Sequence, residues 1–474
     1  MSQWQPLAAI AKSVQTGQVS AVALIEQALT TISDKQEFNA IIATMPERAR
    51  ARAKQIDASV KAGGPVGRLA GVPFIAKDNF LVFGAETTAA SNILKGFKAP
   101  YQAVAVEKLE AEGAICVAKA NLDAFAHGAS TENSDFGVTL NPHDKSRVPG
   151  GSSGGSAAAV VLDMAPFALG TDTGGSVRQP ASFVGCVGFK PTYGLISRSG
   201  VVAMASSTDV IGVLARTTTD IALIVDVLAG RDQFDATTIE ADPAGYQNLA
   251  LDLRGKKVGI IKEYFGHGAD PAVEQLIRDS AEKLKALGIE TVVVSLPSLP
   301  VALAVYYVLC PAEVSSNLSR YDGQRFGYTQ SAATSLEQSY MQSRGIGFGK
   351  EAKRRIMIGT YVLSSGYYDA YYKKAQIVRT KLMNEFTAAF KDVDFLLGPV
   401  SPTTAFKIGE NSSDPLQMYL ADVMTVAANL VGVPAISVPA GLVDSLPVGL
   451  QLMAPQRADA QLLALAAQAE AVLV

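Results

Sequence analysis

Residues 150–156 read Gly-Gly-Ser-Ser-Gly-Gly-Ser, and residues 173–176 read Thr-Gly-Gly-Ser. Each cluster sets hydroxyls beside backbone N–H groups with no bulky side chain to cover them. Acyl transfer needs both: an oxygen to attack a carbonyl carbon, and donors to hold the charge that develops on its oxygen. A serine hydroxyl also needs a base. Gly150 to Gly154 fits G-x-S-x-G, but the histidine that motif requires is poorly supplied. The chain has three histidines, His127, His143 and His267, and only His267, in an FGHG loop expected to be exposed, follows Ser152. Each reads better as a surface or packing residue.

Lysine is the usual substitute for histidine in this role. Lys77 closes the apolar run VPFIA within AGVPFIAKDNF. Burial there disfavours the ammonium form and makes the amine a base near neutral pH. Taken alone, the run reads instead as a lysine snorkelling from a strand end. The second cluster, LGTDTGGSVRQPA, tips the balance, because it adds a hydroxyl beside consecutive N–H groups. Asp172 and Arg178 flank it with opposite charges suited to pinning a turn.

Other readings of the first cluster fare worse. It is followed at once by the apolar AAAVV, read as a helix from Ala157, so it is not a flexible linker. It lacks the lysine of a phosphate-binding GxxxxGK[ST] loop, and no GxGxxG overlaps it. A net charge of -3 over 474 residues, with no basic cluster longer than Lys353-Arg354-Arg355, argues against nucleic-acid binding by this chain alone. Three cysteines, Cys116, Cys186 and Cys310, without CxxC spacing imply neither a disulfide framework nor a zinc site. The start has no basic, then apolar, leader pattern, and the uncharged run 423–443 carries two prolines and several polar residues. A cytoplasmic protein is expected.

The elements that must position these groups alternate along the chain. Helical spacing over 103–112 stops at Gly113 and leads into a strand, 114–119. A strand at 256–262 precedes a helix with Asp270 as N-cap, Pro271 in the first turn and Gly288 at its close. Strands follow at 289–296, 394–400, 434–441 and 447–454, then a last helix at 460–473. This pattern predicts an α/β protein with a large central sheet covered on both faces, as one domain over 1–474. Residues 300–390 form a helical layer in this reading.

GGSSGGSAAAVV…ALGTDTGGSVRQPASFVGCVGFKPTYG resembles the signature of the amidase signature family, and AGVPFIAKDNF resembles its catalytic-lysine segment. The resemblance implies an α/β/α sandwich on a mixed sheet, with signature core 137–194, and a Ser-cisSer-Lys triad that hydrolyses amides. It implies Ser176 as nucleophile, Ser152 as the bridging serine on a cis peptide bond and Lys77 as base. The oxyanion hole would be the N–H groups of Thr173, Gly174, Gly175 and Ser176.

Segments 306–328, 353–379 and 418–441 resemble the glutaminase branch, the A subunits of the aspartyl/glutamyl-tRNA amidotransferases. That implies glutamine as substrate, with Arg355 on its α-carboxylate, Asp422 on its α-ammonium and Ser130 as a further polar contact. Without the resemblance, Arg355 reads as one cation on a solvated helix face. The resemblance further implies a heterotrimer with the B and C subunits of the amidotransferase. ATP and Mg²⁺ would be used by the partner, with no cofactor in this chain. Transfer RNA would be contacted mainly through the partner. His127 and Ala124 depart from the methionine and glutamate usual in the branch. A free-standing amidase with an apolar pocket, and a non-catalytic scaffold, stand as alternatives.

Overall fold

The computed structural model describes residues 3–266, 268–412 and 414–473, so His267 lies outside the described residues. Eleven strands are described: β1 (Ile41–Thr44), β2 (Pro73–Lys77), β3 (Ile115–Ala120), β4 (Phe167–Asp172), β5 (Val187–Lys190), β6 (Val210–Ala215), β7 (Lys257–Ile261), β8 (Glu290–Val294), β9 (Phe395–Pro399), β10 (Ala435–Val443) and β11 (Leu446–Met453). They form a single mixed sheet in the order β1-β3-β2-β4-β6-β5-β10-β11-β9-β7-β8. β2 runs parallel to both β3 and β4, and β7 to both β8 and β9; the other pairs are antiparallel.

Strand periodicity shows why both faces are covered. Successive side chains point to opposite sides of a sheet. In β9, Phe395 and Leu397 enter one apolar cluster and Leu396 the other; in β11, Leu450 and Leu452 part from Met453 in the same way. The first cluster takes in the helices Leu7–Gln15, Ala21–Asp34, Val104–Ala111, Thr218–Leu228, Pro271–Leu284 and Asp459–Leu473. The second takes in Ala302–Asn317 and Lys374–Asp392. The sheet is therefore a middle layer, and β2, β3, β4 and β6 are buried along their whole length. That burial explains their near-continuous apolar sequences.

The local punctuation acts as read. Asp270 accepts a hydrogen bond from Ala272 N at 2.8 Å at the start of Pro271–Leu284, and Gly288 turns the chain with φ +77° after the following 3₁₀ turn. The stretch 300–390 is mainly helical, with Ala302–Asn317, Leu336–Gly347, Lys350–Leu363 and Lys374–Asp392. One boundary differs: the helix after the first glycine cluster begins at Gly154, three residues before Ala157. Its opening glycines are there because neighbours come too close for a side chain: the Thr131 and Pro149 side chains at Gly154, and backbone at Gly155. A Cβ on Gly155 would lie 2.4 Å from Asn121 O and 2.6 Å from Ala40 O.

Leu299–Arg320 is long and apolar enough to cross a membrane by length and composition, and half of its most apolar window is buried against the rest of the chain.

The Gly155 contacts are all backbone and cannot step aside. Gly155→Ala is expected to destabilise the protein by about 1–3 kcal/mol through overpacking. Gly345→Ala, in helix Leu336–Gly347 with nothing within 4 Å of the added carbon, is expected to be neutral or stabilising. Thermal unfolding of the two variants checks the pair.

Candidate active site

Lys77 is the last residue of β2, and the parallel register Ala76↔Leu169 sets it beside the end of β4. Its side chain is 0% exposed, deeper than a snorkelling lysine would be. Nζ lies 2.7 Å from Ser152 Oγ, 2.9 Å from Ser153 Oγ and 2.9 Å from Thr171 Oγ1. Burial pulls its pKa down to about 7, against the opposing charges of Asp123, Asp172 and Asp209. A neutral amine has two N–H donors and one lone pair, so one of the three hydroxyls can donate to it. Ser153 already donates to Thr171 O at 3.2 Å, and Asn79 Nδ2 donates to Thr171 Oγ1 at 3.1 Å. Of the two hydroxyls whose protons remain free, Ser152 and Thr171, Ser152 is the nearer to the amine, at 2.7 against 2.9 Å. The Gly151–Ser152 peptide bond is cis.

The loop that presents Ser152 is wedged tightly. A Cβ on Gly151 would fall 2.1 Å from Asp123 Oδ2 and 2.6 Å from Ser130 N. Gly151 N donates to Gln179 Oε1 at 2.9 Å, and Gly154 N to Thr131 Oγ1 at 3.1 Å. Ser153 N donates to Ser176 O at 3.1 Å, which ties this loop to the turn that carries Ser176.

That turn is organised by Asp172 at the end of β4. Its carboxylate accepts from the N–H groups of Gly175 (2.9 Å), Val177 (3.2 Å) and Arg178 (3.3 Å), and pairs with the Arg178 guanidinium at 2.9 and 3.0 Å. Burial alone would raise its pKa; the adjoining guanidinium instead holds the carboxyl well below the usual range. Arg178 is itself fully buried and reaches Asn429 Oδ1 and Gln451 Oε1, each at 2.6 Å. Ser176 is 6% exposed. Because Gly175 N–H is engaged by Asp172, it is not free to act on a substrate. The Gly174 and Ser176 N–H groups have no protein acceptor among the described residues. Thr173 is anchored through Oγ1 to Asp209 at 2.7 Å, and Gly174 O accepts from Thr425 Oγ1 at 2.5 Å.

A cavity of about 240 Å³ opens nearby, lined in part by Asp123, His127, Ser130, Tyr307, Arg355 and Tyr419. Tyr306 and Tyr307 link it to the turn: the Tyr306 ring lies 2.8 Å from where a Gly174 Cβ would be, and Tyr307 faces the cavity. Arg355 is 2% exposed, which rules out the solvated-face alternative for it. Its Nε donates to Glu351 Oε1 at 2.8 Å, and its guanidinium carbon lies 5.4 and 5.6 Å from the centroids of the Tyr307 and Tyr419 rings. Those two rings stack at 3.9 Å. Asp422 accepts from the Tyr307 hydroxyl at 3.2 Å; burial raises its pKa to about 7, opposed by Arg355 and by that hydrogen bond. A buried cation and a buried carboxyl together suit a ligand carrying both charges.

His143 is a packing residue, its Nε2 2.8 Å from Val184 O. His127 is neither on the surface nor simply packed: it is fully buried in the cavity wall. Several contributors carry little signal in the sequence. Ser153, adjacent to Ser152 in the same cluster, and Thr171, two residues before the Thr-Gly-Gly-Ser run, are signalled only by position. Asp123 gives no signal at all; its carboxylate gathers the N–H groups of Ser130, Thr131 and Asn133, and burial raises its pKa to about 6 against those bonds.

Comparison with known proteins places the chain in a family. The amidase family model matches residues 23–463. The chain is 50% identical over 438 residues to the Glutamyl-tRNA(Gln) amidotransferase A subunit of Thermoanaerobacter pseudethanolicus, covering 92% of this chain and 90% of that protein. It is 49% identical over 464 residues to the protein of the same name from Synechococcus sp., covering 97% and 96%. The crystal structure of the Glutamyl-tRNA(Gln) amidotransferase A subunit from Thermotoga maritima superposes with a TM-score of 0.79 at 40% identity, over 95% of this chain and 91% of that one. A crystal structure described as an amidase gives 0.85 at 30% identity, over 99% and 100%.

Removing one member of a buried ion pair strands the other. Arg178→Met is expected to cost about 3–5 kcal/mol, measured by thermal or denaturant unfolding.

Proposed function

Since the chain belongs to the amidase family, we propose that it is the glutaminase component of a tRNA-dependent amidotransferase, hydrolysing glutamine and delivering ammonia to a partner. The observation that carries the chemistry is the buried Lys77 amine 2.7 Å from Ser152 Oγ, beside a turn whose Gly174 and Ser176 N–H groups are unengaged among the described residues. Ser176 Oγ attacks the side-chain amide carbon of glutamine and its proton passes through Ser152 to Lys77. The N–H groups of Gly174 and Ser176, next to Thr173, take the charge on the carbonyl oxygen. Collapse of the tetrahedral intermediate breaks the C–N bond, and the proton held by Lys77 returns to the leaving nitrogen. Water then cleaves the Ser176 ester by the same route in reverse, releasing glutamate.

Glutamine is the substrate favoured by Arg355 and Asp422. Arg355, set beside the two stacked rings and bonded to Glu351, takes the α-carboxylate; Asp422 takes the α-ammonium, and Ser130 lines the cavity that Arg355 also lines. A free-standing amidase for simple carboxamides has no use for a buried cation and a buried carboxyl at that place. The relatives named for the amidotransferase, at about 50% identity, support the same choice.

The ammonia is used by a partner, the B subunit, with ATP and Mg²⁺ bound there, to amidate Glu-tRNA(Gln) and/or Asp-tRNA(Asn) in the cytoplasm. The C subunit completes the heterotrimer. An exposed aromatic and apolar area supports docking of this kind. It is the cluster of the exposed rings of Tyr361, Tyr367 and Tyr371; Met357 and Ile377, which flank the rings in sequence, are 71% and 69% exposed.

Ser176→Ala is expected to abolish ammonia release from glutamine in a folded protein; release at the wild-type rate removes Ser176 from its role. The pH dependence follows from the two groups near 7. Lys77 must be neutral and Asp422 charged, so protonation of either lowers activity, and kcat/KM falls as pH drops through about 7. Below that point the slope of log kcat/KM against pH is expected to exceed one for glutamine. For butyramide, which has no α-ammonium to bind, it is expected to stay near one.

A further inference from the structure

His127 is fully buried, and both of its ring nitrogens lack a hydrogen-bond partner among the described residues. Its backbone is well held: His127 N donates to Ala124 O at 3.0 Å, and its carbonyl accepts from Asn133 Nδ2 at 2.9 Å. The backbone is therefore held while the polar atoms of the ring are unmet, an arrangement that calls for a ligand, water or ion to meet them. It lines the same cavity as Arg355, Ser130 and Tyr307. Burial, with the nearby Arg355 charge adding to it, keeps the imidazole neutral, so it offers one N–H and one lone pair.

We propose that His127 is a specificity-determining contact of this site, donating its ring N–H to the substrate carboxylate held by Arg355. The inference rests on the glutamine reading above. An anion shared by a guanidinium and a neutral N–H gains a second, directional bond, and an amide with no carboxylate gains nothing from it. The other nitrogen, as acceptor, is open to the substrate ammonium or to a water molecule.

The test compares glutamine with butyramide, which has a carboxamide but neither carboxylate nor ammonium, using the full chain together with any subunits that co-purify. His127→Met removes the donor with little change in size. The expected result is a KM for glutamine raised roughly tenfold or more, kcat within about twofold and an unchanged KM for butyramide. His127→Gln, which retains an N–H, is expected to recover much of the loss. If His127→Met fails to fold, His127→Leu serves the same comparison.

A KM for glutamine that stays within about twofold, or equal effects on both amides, overturns the proposal; so does a gain in Tm with no kinetic change, the mark of an idle buried polar group. Arg355→Ala run in parallel separates the two levels. If it fails to discriminate between the amides, the glutamine reading and this contact fall together. If it discriminates and His127→Met does not, only the contact falls.

Discussion

The arrangement depends on keeping one amine out of water. Lys77 sits at the end of a strand buried on both faces, where solvation of an ammonium is lost and nothing within bonding distance carries a negative charge. Hydroxyls surround it instead; they bond the neutral amine without supplying the full negative charge that would repay the lost solvation of an ammonium. Asp123, Asp172 and Asp209 act on it only through their fields, and that balance leaves the amine near neutrality rather than far below it. A carboxylate moved into contact would restore the ammonium and remove the base.

The second demand is shape. A serine loop and a serine turn must approach that amine together, and neither serine lies inside a strand or helix. The stiffness comes from polar groups with no freedom left: Asp172 ties three N–H groups and Arg178, while Arg178 is itself secured by Asn429 and Gln451. Small residues then permit contacts that any side chain would block, as at Gly151 against Asp123.

Much of this was legible in the sequence. The apolar run ending in Lys77, the two small-residue clusters and the Asp172–Arg178 flank each carry a local chemical signal, and all converge in space. Strand and helix positions followed from periodicity and from capping residues such as Asp270, because burial imposes the same period on side chains that the backbone imposes on direction. The helix start at Gly154 was missed because glycine carries no helical preference; tight packing, not propensity, sets that boundary. Asp123 was invisible because a carboxylate that gathers loop N–H groups leaves no periodic pattern, and the unmet ring of His127 because burial is set by residues distant along the chain, such as Tyr307 and Arg355. Arg355 was ambiguous for a related reason: on a helix sequence, a cation packed beside the stacked Tyr307 and Tyr419 rings looks the same as one facing water.

The glycine turn meets the rest of the site through the Tyr306 ring against Gly174, the Thr425 hydroxyl on its carbonyl, and Asn429 on Asp172 and Arg178. The amine and hydroxyls proposed to break the amide lie between 77 and 176, on one strand end and two turns, whereas the groups proposed to select a ligand come largely from 307 to 422. Such a division makes the molecule modular. Replacements in the outer helices are free to retune which amide is admitted while the reacting hydroxyls keep their places, and one scaffold can thereby serve many nitrogenous compounds.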